Sequence, residues 1–323
     1  MQPQYIALQR AYARLRLIKD AQTMSVVEAC RKHGCSRTCY YKWRKRYDGS
    51  VESLVDCSRR PHSHPKQLTA QEHALIDRVA RAKSYTDKHG RKRTPGLHRL
   101  HWLLRTFHGF ARSVHGLYKA LKRMGFYAPA KRRRRRKYRR YERPRPGANV
   151  QIDVKYLDPI RGRKEYQYSA IDEHSRLLYA RIYDDVSVHN SKRFLRDALD
   201  FFEKHQVRVE QVQTDHGVEF TYAMFPHAAR EHPFERELRT EDIIRKLTPI
   251  GQPHLQGKVE RLHRIADDEF HDRRYFCSSQ QRKRAFRAWV NYYNHQRPHG
   301  SLNWRTPIEQ LEHFRNTQSV SYD

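Results

Sequence analysis

The chain has 323 residues, 37% of them hydrophobic, with 66 Lys+Arg against 35 Asp+Glu and a formal net charge of +31 at pH 7; this allows two to four folded domains and excludes a chain too polar to build a core. The charge is lopsided: residues 1–150 hold 38 Lys+Arg and 9 Asp+Glu, and the remainder 28 and 26. A polyanion-binding half therefore precedes a charge-balanced globular half, and nucleic acid fits it better than a membrane surface, because no basic helix carries a clean apolar face.

Residues 5–19 carry apolar side chains at Tyr5, Leu8, Tyr12, Leu15 and Ile18, a helical spacing. In SVVEACRKHGCSRTCYYKWRKRY (25–47), Ser25 with Glu28 makes a capping box, Gly34 a turn, and Ser36 caps a second helix. Helix, glycine turn and capped basic helix form a helix-turn-helix pattern. Arg37, Thr38, Tyr41, Lys42, Arg44 and Lys45 would face DNA, in a stretch with seven cations from Arg31 to Arg46 and no acid. The five cysteines are an odd number and suggest no disulfide scaffold. Cys30, His33, Cys35 and Cys39 match no common zinc spacing and read as small residues of the helical core.

The segment RRPHSHPKQ reads as a linker. Beyond it, Thr69 caps a helix to about Lys83, LHRLHWLLRTF (97–107) follows Pro95-Gly96, and SVHGLYKALKRMG (113–125) ends at Gly125. Together they predict a second, winged-helix-like module with Lys119, Lys122 and Arg123 as phosphate contacts. KRRRRRKYRRYERPRPG (131–147) is nearly pure charge, a linker that orders on DNA through residues such as Arg132, Arg133, Arg134, Arg135 and Arg136.

From Asn149 the pattern changes. Residues 150–157, 166–172 and 177–184 read as strands, 190–205 as a helix, 209–215 and 246–250 as strands, and 256–270 and 279–295 as helices. That order is the ribonuclease-H-like α/β fold. The expected organisation is multidomain: a helix-turn-helix domain (1–58), a linker (59–68), a second helical DNA-binding module (69–128), a basic linker (129–147) and an α/β core with C-terminal helices (148–323).

Three acids carry the chemistry. Asp153 interrupts an apolar strand, where an unpaired charge is costly. Asp215 ends another strand before Gly217, and Glu260 lies on the helix of GKVERLHR. In this fold the first and fourth strands are adjacent and the later helix crosses them, so the three carboxylates converge. Hard oxygen donors without a neutralising lysine suit Mg²⁺ or Mn²⁺, and two such ions would clamp an in-line phosphoryl transfer. Asp172 also ends a strand but reads as a turn-former before Ser175-Arg176.

GCSRTCYYKWRKRY, TPGLHRL, QIDVKYL, AIDEHSR, QTDHGVEF, PHLQGKVERLHR and YYNHQRPHGSLNWRTPIEQL, in this order, cover nearly the whole chain. In them the chain resembles the bacterial insertion-sequence transposases with a retroviral-integrase-type core. The resemblance implies that Asp153, Asp215 and Glu260 are the family's catalytic and metal-binding triad, and that Lys258, Arg261 and Arg264 hold a DNA end nearby. It implies two divalent ions and DNA as partner (terminal inverted repeats and target). It also implies a homo-oligomer on DNA and a prokaryotic cytoplasmic, nucleoid-associated setting. No apolar run approaches a membrane span, and MQPQYIALQR has no export core.

Two departures stand out. Val150 replaces the tryptophan usual shortly before the first aspartate, a matter of packing. The 44 residues between Asp215 and Glu260 are more than such families usually carry, with the surplus expected as a surface excursion in AAREHPFERELRTED (228–242). Glu269 is the rival third ligand, and His216 is either a substrate contact or a solvated turn residue. The expected function is a transposase that cleaves and joins DNA. The alternatives are a catalytically silent, transposase-derived regulator and a ribonuclease-H-type nuclease that hydrolyses without joining.

Overall fold

The structure is a computed structural model that describes residues 3–57, 67–127, 142–225 and 230–319. It divides into two compact units, Met1–Gln67 and Leu68–Asp323. The expected basic contacts Arg132–Arg136 and most of both linkers lie outside the described residues.

The first unit holds α1 (Pro3–Thr23), α2 (Val26–Lys32) and α3 (Arg37–Arg46). Ser25 accepts the Glu28 amide while the Glu28 side chain accepts the Ser25 amide, and Ser36 accepts the Cys39 amide, so both short helices start on satisfied donors. Gly34 makes the turn between them at φ +62°, where a side chain would be strained. Ala11, Leu17, Ile18, Cys30, Tyr40, Trp43 and Leu54 form the core. The α1 pattern resolves differently from its sequence reading: Tyr5, Leu8 and Tyr12 are exposed. The packed face runs instead through Ala11, Leu17 and Ile18, with the Arg14 guanidinium 3.7 Å over the Trp43 ring.

The second unit opens with α4 (Ala70–Lys83), a hairpin of β1 (Tyr85–Thr86) and β2 (Lys92–Arg93), α5 (Leu97–His108) and α6 (Val114–Arg123). Thr69 and Glu72 form a capping box, Gly109 ends α5 at φ +64°, and Ser113 caps α6. Ile76, Leu100, Leu104, Phe110, Leu117 and Leu121 pack between these helices. The sequence reading lacked the hairpin; its turn depends on Asp87, which accepts the amides of His89 and Arg91 and the guanidiniums of Arg91 and Arg93.

Next come β3 (Val150–Ile160), β4 (Arg163–Asp172), β5 (Leu178–Tyr183), α7 (Val188–Lys204), β6 (Gln211–Thr214), α8 (Pro233–Thr240), β7 (Ile244–Leu247), α9 (Gly257–Glu269), α10 (Ser279–His295) and α11 (Pro307–Ser319). The sheet order is β5-β4-β3-β6-β7, antiparallel through the first three and parallel at β3–β6 and β6–β7. Strand alternation sends Val150, Ile152, Tyr168 and Ala170 to one face with Phe194, Leu195 and Leu238, and Ile171, Leu178 and Ala180 to the other with Val259, Leu262, Phe286 and Trp289. Helical modules followed by this mixed sheet, covered on both faces, are the expected ribonuclease-H-like arrangement.

Two local readings are corrected. The strand expected over 246–250 is Ile244–Leu247, because pairing with Gln211–Thr214 sets its register. The segment 228–242 is no mere surface excursion: it contains α8, whose Phe234 and Leu238 are buried in the core. The chain after the RPHGSLNWRTP segment forms α11, with Leu311 in the same core. Asp172 is fully buried as a turn-former, accepting the amides of Gly147 and Ser175 and the Ser175 hydroxyl.

Candidate active site

The parallel pairing of β3 with β6 sets Val150 opposite Val212 and Gln151 opposite Gln213. Asp153 lies two residues beyond Gln151 on β3 and Asp215 two residues beyond Gln213, just past the end of β6, so both stand at the same end of this strand pair, close enough for the Asp215 charge to act on the Asp153 carboxyl. Asp215 follows the last β6 residue, and its carboxylate accepts the Gly217 amide at 2.9 Å, turning the chain sharply after the strand.

Glu260 arrives from α9, and two buried glutamines fix where that helix starts. The Gln151 side chain accepts the Val259 amide at 3.0 Å and donates to the Leu255 carbonyl at 2.8 Å. Gln213 donates to the same carbonyl at 3.3 Å and to Thr248 at 3.0 Å. The strand positions just before the two aspartates thus tie down the segment just before Glu260.

A fourth carboxylate joins them. Glu219, four residues beyond Asp215, packs over Gly217, where an added Cβ would stand 2.7 Å from its nearest carboxylate atoms. Burial first and the Asp215 charge second push the Asp153 carboxyl up to about 7, against the Val154 amide, with Glu219 and then Glu260 adding to the rise. Burial, seconded by Asp215, also raises the Glu219 carboxyl. The sequence reading passed over Glu219, although its motif QTDHGVEF was in view; a glutamate four residues past a strand-end aspartate was the signal.

The cations near this group are few. The nearest to Glu260 is Arg264, 3.7 Å away and largely exposed. Lys155 pairs with Asp267. His263 Nδ1 lies 3.5 Å from Asp153, but burial, with the Lys155 charge, pushes this imidazole down to about 3, so it is neutral and offsets no charge. An all-oxygen donor set whose charges repel one another fits a hard divalent metal. Among the described residues no three such donors already stand at ligating spacing.

The rival Glu269 has other work. Arg297 holds it in a two-point pair at 2.8 and 2.9 Å, and Arg99 contacts it from α5. Burial pushes its carboxyl up, and the two guanidiniums more than reverse that. On α9, Arg261 and Arg264 are exposed beside Glu260 and Lys258 is half-buried; His216 is half-buried in the turn after Asp215. Arg37, Thr38, Tyr41, Lys42, Arg44 and Lys45 are all exposed on α3, and all but Arg44 line one shallow recess. Lys119, Lys122 and Arg123 are exposed on α6. Cys35 packs against Cys30, and burial, with that contact, pushes its thiol up to about 11.

Among known proteins, residues 13–62 match the family described as a helix-turn-helix domain. Residues 143–240 and 241–307 match two families, each described as an integrase core domain. The chain is 28% identical over 184 residues to “Putative integrase ORF3” of Spiroplasma virus SpV1-C74, an alignment covering 55% of this chain and 51% of that one. It is 26% identical over 124 residues to “Insertion element IS407 uncharacterized 31.7 kDa protein” of Burkholderia multivorans, covering 38% of this chain and 42% of that protein. The matches thus span about half of these relatives' length or less. The catalytic core domains of HTLV-2 integrase, in complex with magnesium, and of BIV integrase align at TM-scores of 0.36 and 0.38 with 14% and 18% identity. Those alignments cover 51% and 54% of this chain and 97% and 99% of the integrase domains, and at such scores they add nothing to the assignment. The two integrase-core matches together span residues 143–307, about half the chain, and with a helix-turn-helix domain ahead of them they place this protein in the integrase-core family.

Proposed function

We propose that this chain is a DNA transposase, a polynucleotidyl transferase that cleaves element ends and joins them to target DNA at Asp153, Asp215 and Glu260. The observation that supports the reading is the crowding of carboxylates around Asp153, where burial and the charges of Asp215, Glu219 and Glu260 lift its carboxyl to about 7. Two Mg²⁺ or Mn²⁺ ions would supply Lewis acidity at the scissile phosphate and ease deprotonation of the attacking water or 3′-hydroxyl. Asp153, Asp215 and Glu260 would hold them, with Glu219 within reach of the same group. Gln151 and Gln213 keep strand and helix in place, and Arg261 and Arg264 offer phosphate contacts on the exposed side of α9. The exposed cations of α3 and α6 give recognition of double-stranded DNA at inverted-repeat ends, in a homo-oligomer that pairs two ends. The setting is the cytoplasm, on the nucleoid.

The test is a cleavage-and-joining assay on the DNA flanking the gene, with Mg²⁺ or Mn²⁺. Wild type is expected to nick and join. Asp215→Asn is expected to bind the same DNA and lose more than the about 10–100-fold typical of removing an outer-sphere partner. Wild-type protein that binds the ends and never nicks would instead establish a silent regulator, and nicking without joining would establish a nuclease.

A further inference from the structure

The α4–α6 module does not stand apart from the core. Its contacts with the core centre on the C-terminal end of α9 and the chain just after it, with others to β3, α10 and Trp304. Tyr85 donates to the Asp268 carbonyl, and its ring lies 4.0 Å from the Arg273 guanidinium. The Lys88 amide donates to the Asp272 carbonyl at 2.8 Å, its carbonyl accepts the Tyr275 hydroxyl at 2.6 Å, and its ammonium reaches Asp158 on β3 at 2.5 Å. Arg99 of α5 contacts Glu269, the last residue of α9, and donates to the Tyr292 hydroxyl of α10 at 2.9 Å. Trp102 of α5 stacks on Trp304 with ring centroids 5.7 Å apart.

α9 is thereby held at both ends. The two glutamines fix its start, and Arg99 and Arg297 share the carboxylate at its finish. Glu260 lies nine residues before Glu269 on the same helix, about 14 Å along its axis. Over two and a half turns a helix packed through Val259, Leu262, Ile265 and Ala266 moves as a rod. A shift of its last turn therefore tilts the helix about its pinned start and re-aims the Glu260 side chain beside that pivot. Arg99 and the exposed cations Lys119, Lys122 and Arg123 belong to one small helical bundle sharing one core, so a load placed on the bundle by DNA reaches the helix bearing Glu260 through Arg99.

We infer that the α4–α6 module is a brace for the proposed metal centre, and that Arg99 is a positioning residue for Glu260, acting through Glu269. The inference rests on the proposed function and assigns the second module a task besides DNA contact. Its test uses the full chain with Arg99→Ala and three readouts: Mn²⁺ affinity by calorimetric titration without DNA, turnover and half-saturating end-DNA concentration in joining, and the near-UV circular dichroism of the Trp102–Trp304 stack. The expected result is Mn²⁺ affinity and turnover lowered about 10–100-fold, with the end-DNA requirement unchanged. Unchanged Mn²⁺ affinity and turnover would overturn the inference, most plainly with the tryptophan signal lost. A joining defect traced wholly to weaker end binding would overturn it too. Should Arg99→Ala not fold, Arg99→Lys decides: reduced Mn²⁺ affinity supports the brace and wild-type affinity overturns it. Wild-type protein that neither binds Mn²⁺ nor joins DNA would sink the proposed function itself, an outcome separate from failure of Arg99→Ala alone.

Discussion

Asp153 shows what a buried carboxylate in a like-charged group does to its fold. Its carboxyl titrates near 7 in the folded chain and near 3.8 when unfolded, so the native state binds the extra proton between those values. Stability from this group is fully present below 3.8, is lost as pH rises from there through about 7, and changes no further above that. Melting measured without divalent metal is expected to show that loss, Asp153→Asn to remove it, and Mn²⁺ to raise the melting temperature more at pH 8 than at pH 5. Equal Mn²⁺ stabilisation at both pH values would count against Asp153 as a ligand. That Asp153 stands in an apolar strand was readable from residues 150–154 alone. That Glu219 joins it was not, because its contribution depends on a carboxylate folding back over Gly217, a placement that no periodicity encodes.

At the scale of elements, the bridge between the strands and α9 is polar rather than apolar. Gln151 is wholly buried and bonds Val259, Leu255 and Glu173. Gln151→Leu keeps volume but strands those partners, each unsatisfied buried group costing about 1–3 kcal/mol. Chemical denaturation should show a loss in that range, with joining falling further than stability explains; a neutral result would remove the glutamine from the account. For α3, replacing Arg37, Lys42 or Lys45 with alanine should weaken end binding and lower the slope of log affinity against log salt by about 1 each. Slopes unchanged by all three would exclude α3 as a phosphate-contacting surface. Helices with strong caps and long periodic faces were legible in the sequence: α2 from Ser25 and Glu28, α4 from Thr69 and Glu72, α10 from its 17-residue pattern. α8 was not, since its polar face dominates the local composition and its apolar ties to the core are Phe234 and Leu238, beside the buried Glu237 paired with Arg196 and Lys192. The β1–β2 hairpin was not legible either, because two-residue strands carry no period.

Across the whole molecule, charge asymmetry and element order conveyed the architecture, a basic helical part followed by a mixed five-stranded sheet. Chain order could not convey docking. The sequence reads the second helical module as one more bead on a string, whereas its grip on α9 joins residues such as Arg99 and Glu269, 170 positions apart. No helix among the described residues is long and apolar enough to cross a membrane, and the excess positive charge of the first 150 residues has a simple consequence. Affinity for end DNA should fall by about 10³–10⁵ between 50 and 200 mM salt if six to ten phosphates are neutralised. A flat profile would contradict the electrostatic account of end binding.

The central claim is that Asp153, Asp215 and Glu260, rather than some other set of the crowded carboxylates, perform the chemistry. The most direct test is joining of a 3′-hydroxyl-ended element terminus in Mg²⁺ by Glu260→Gln beside Glu219→Gln, at matched DNA binding. The account predicts that Glu260→Gln abolishes joining while Glu219→Gln retains part of it. Joining that survives Glu260→Gln and vanishes with Glu219→Gln would contradict it and move the third ligand to the turn after β6.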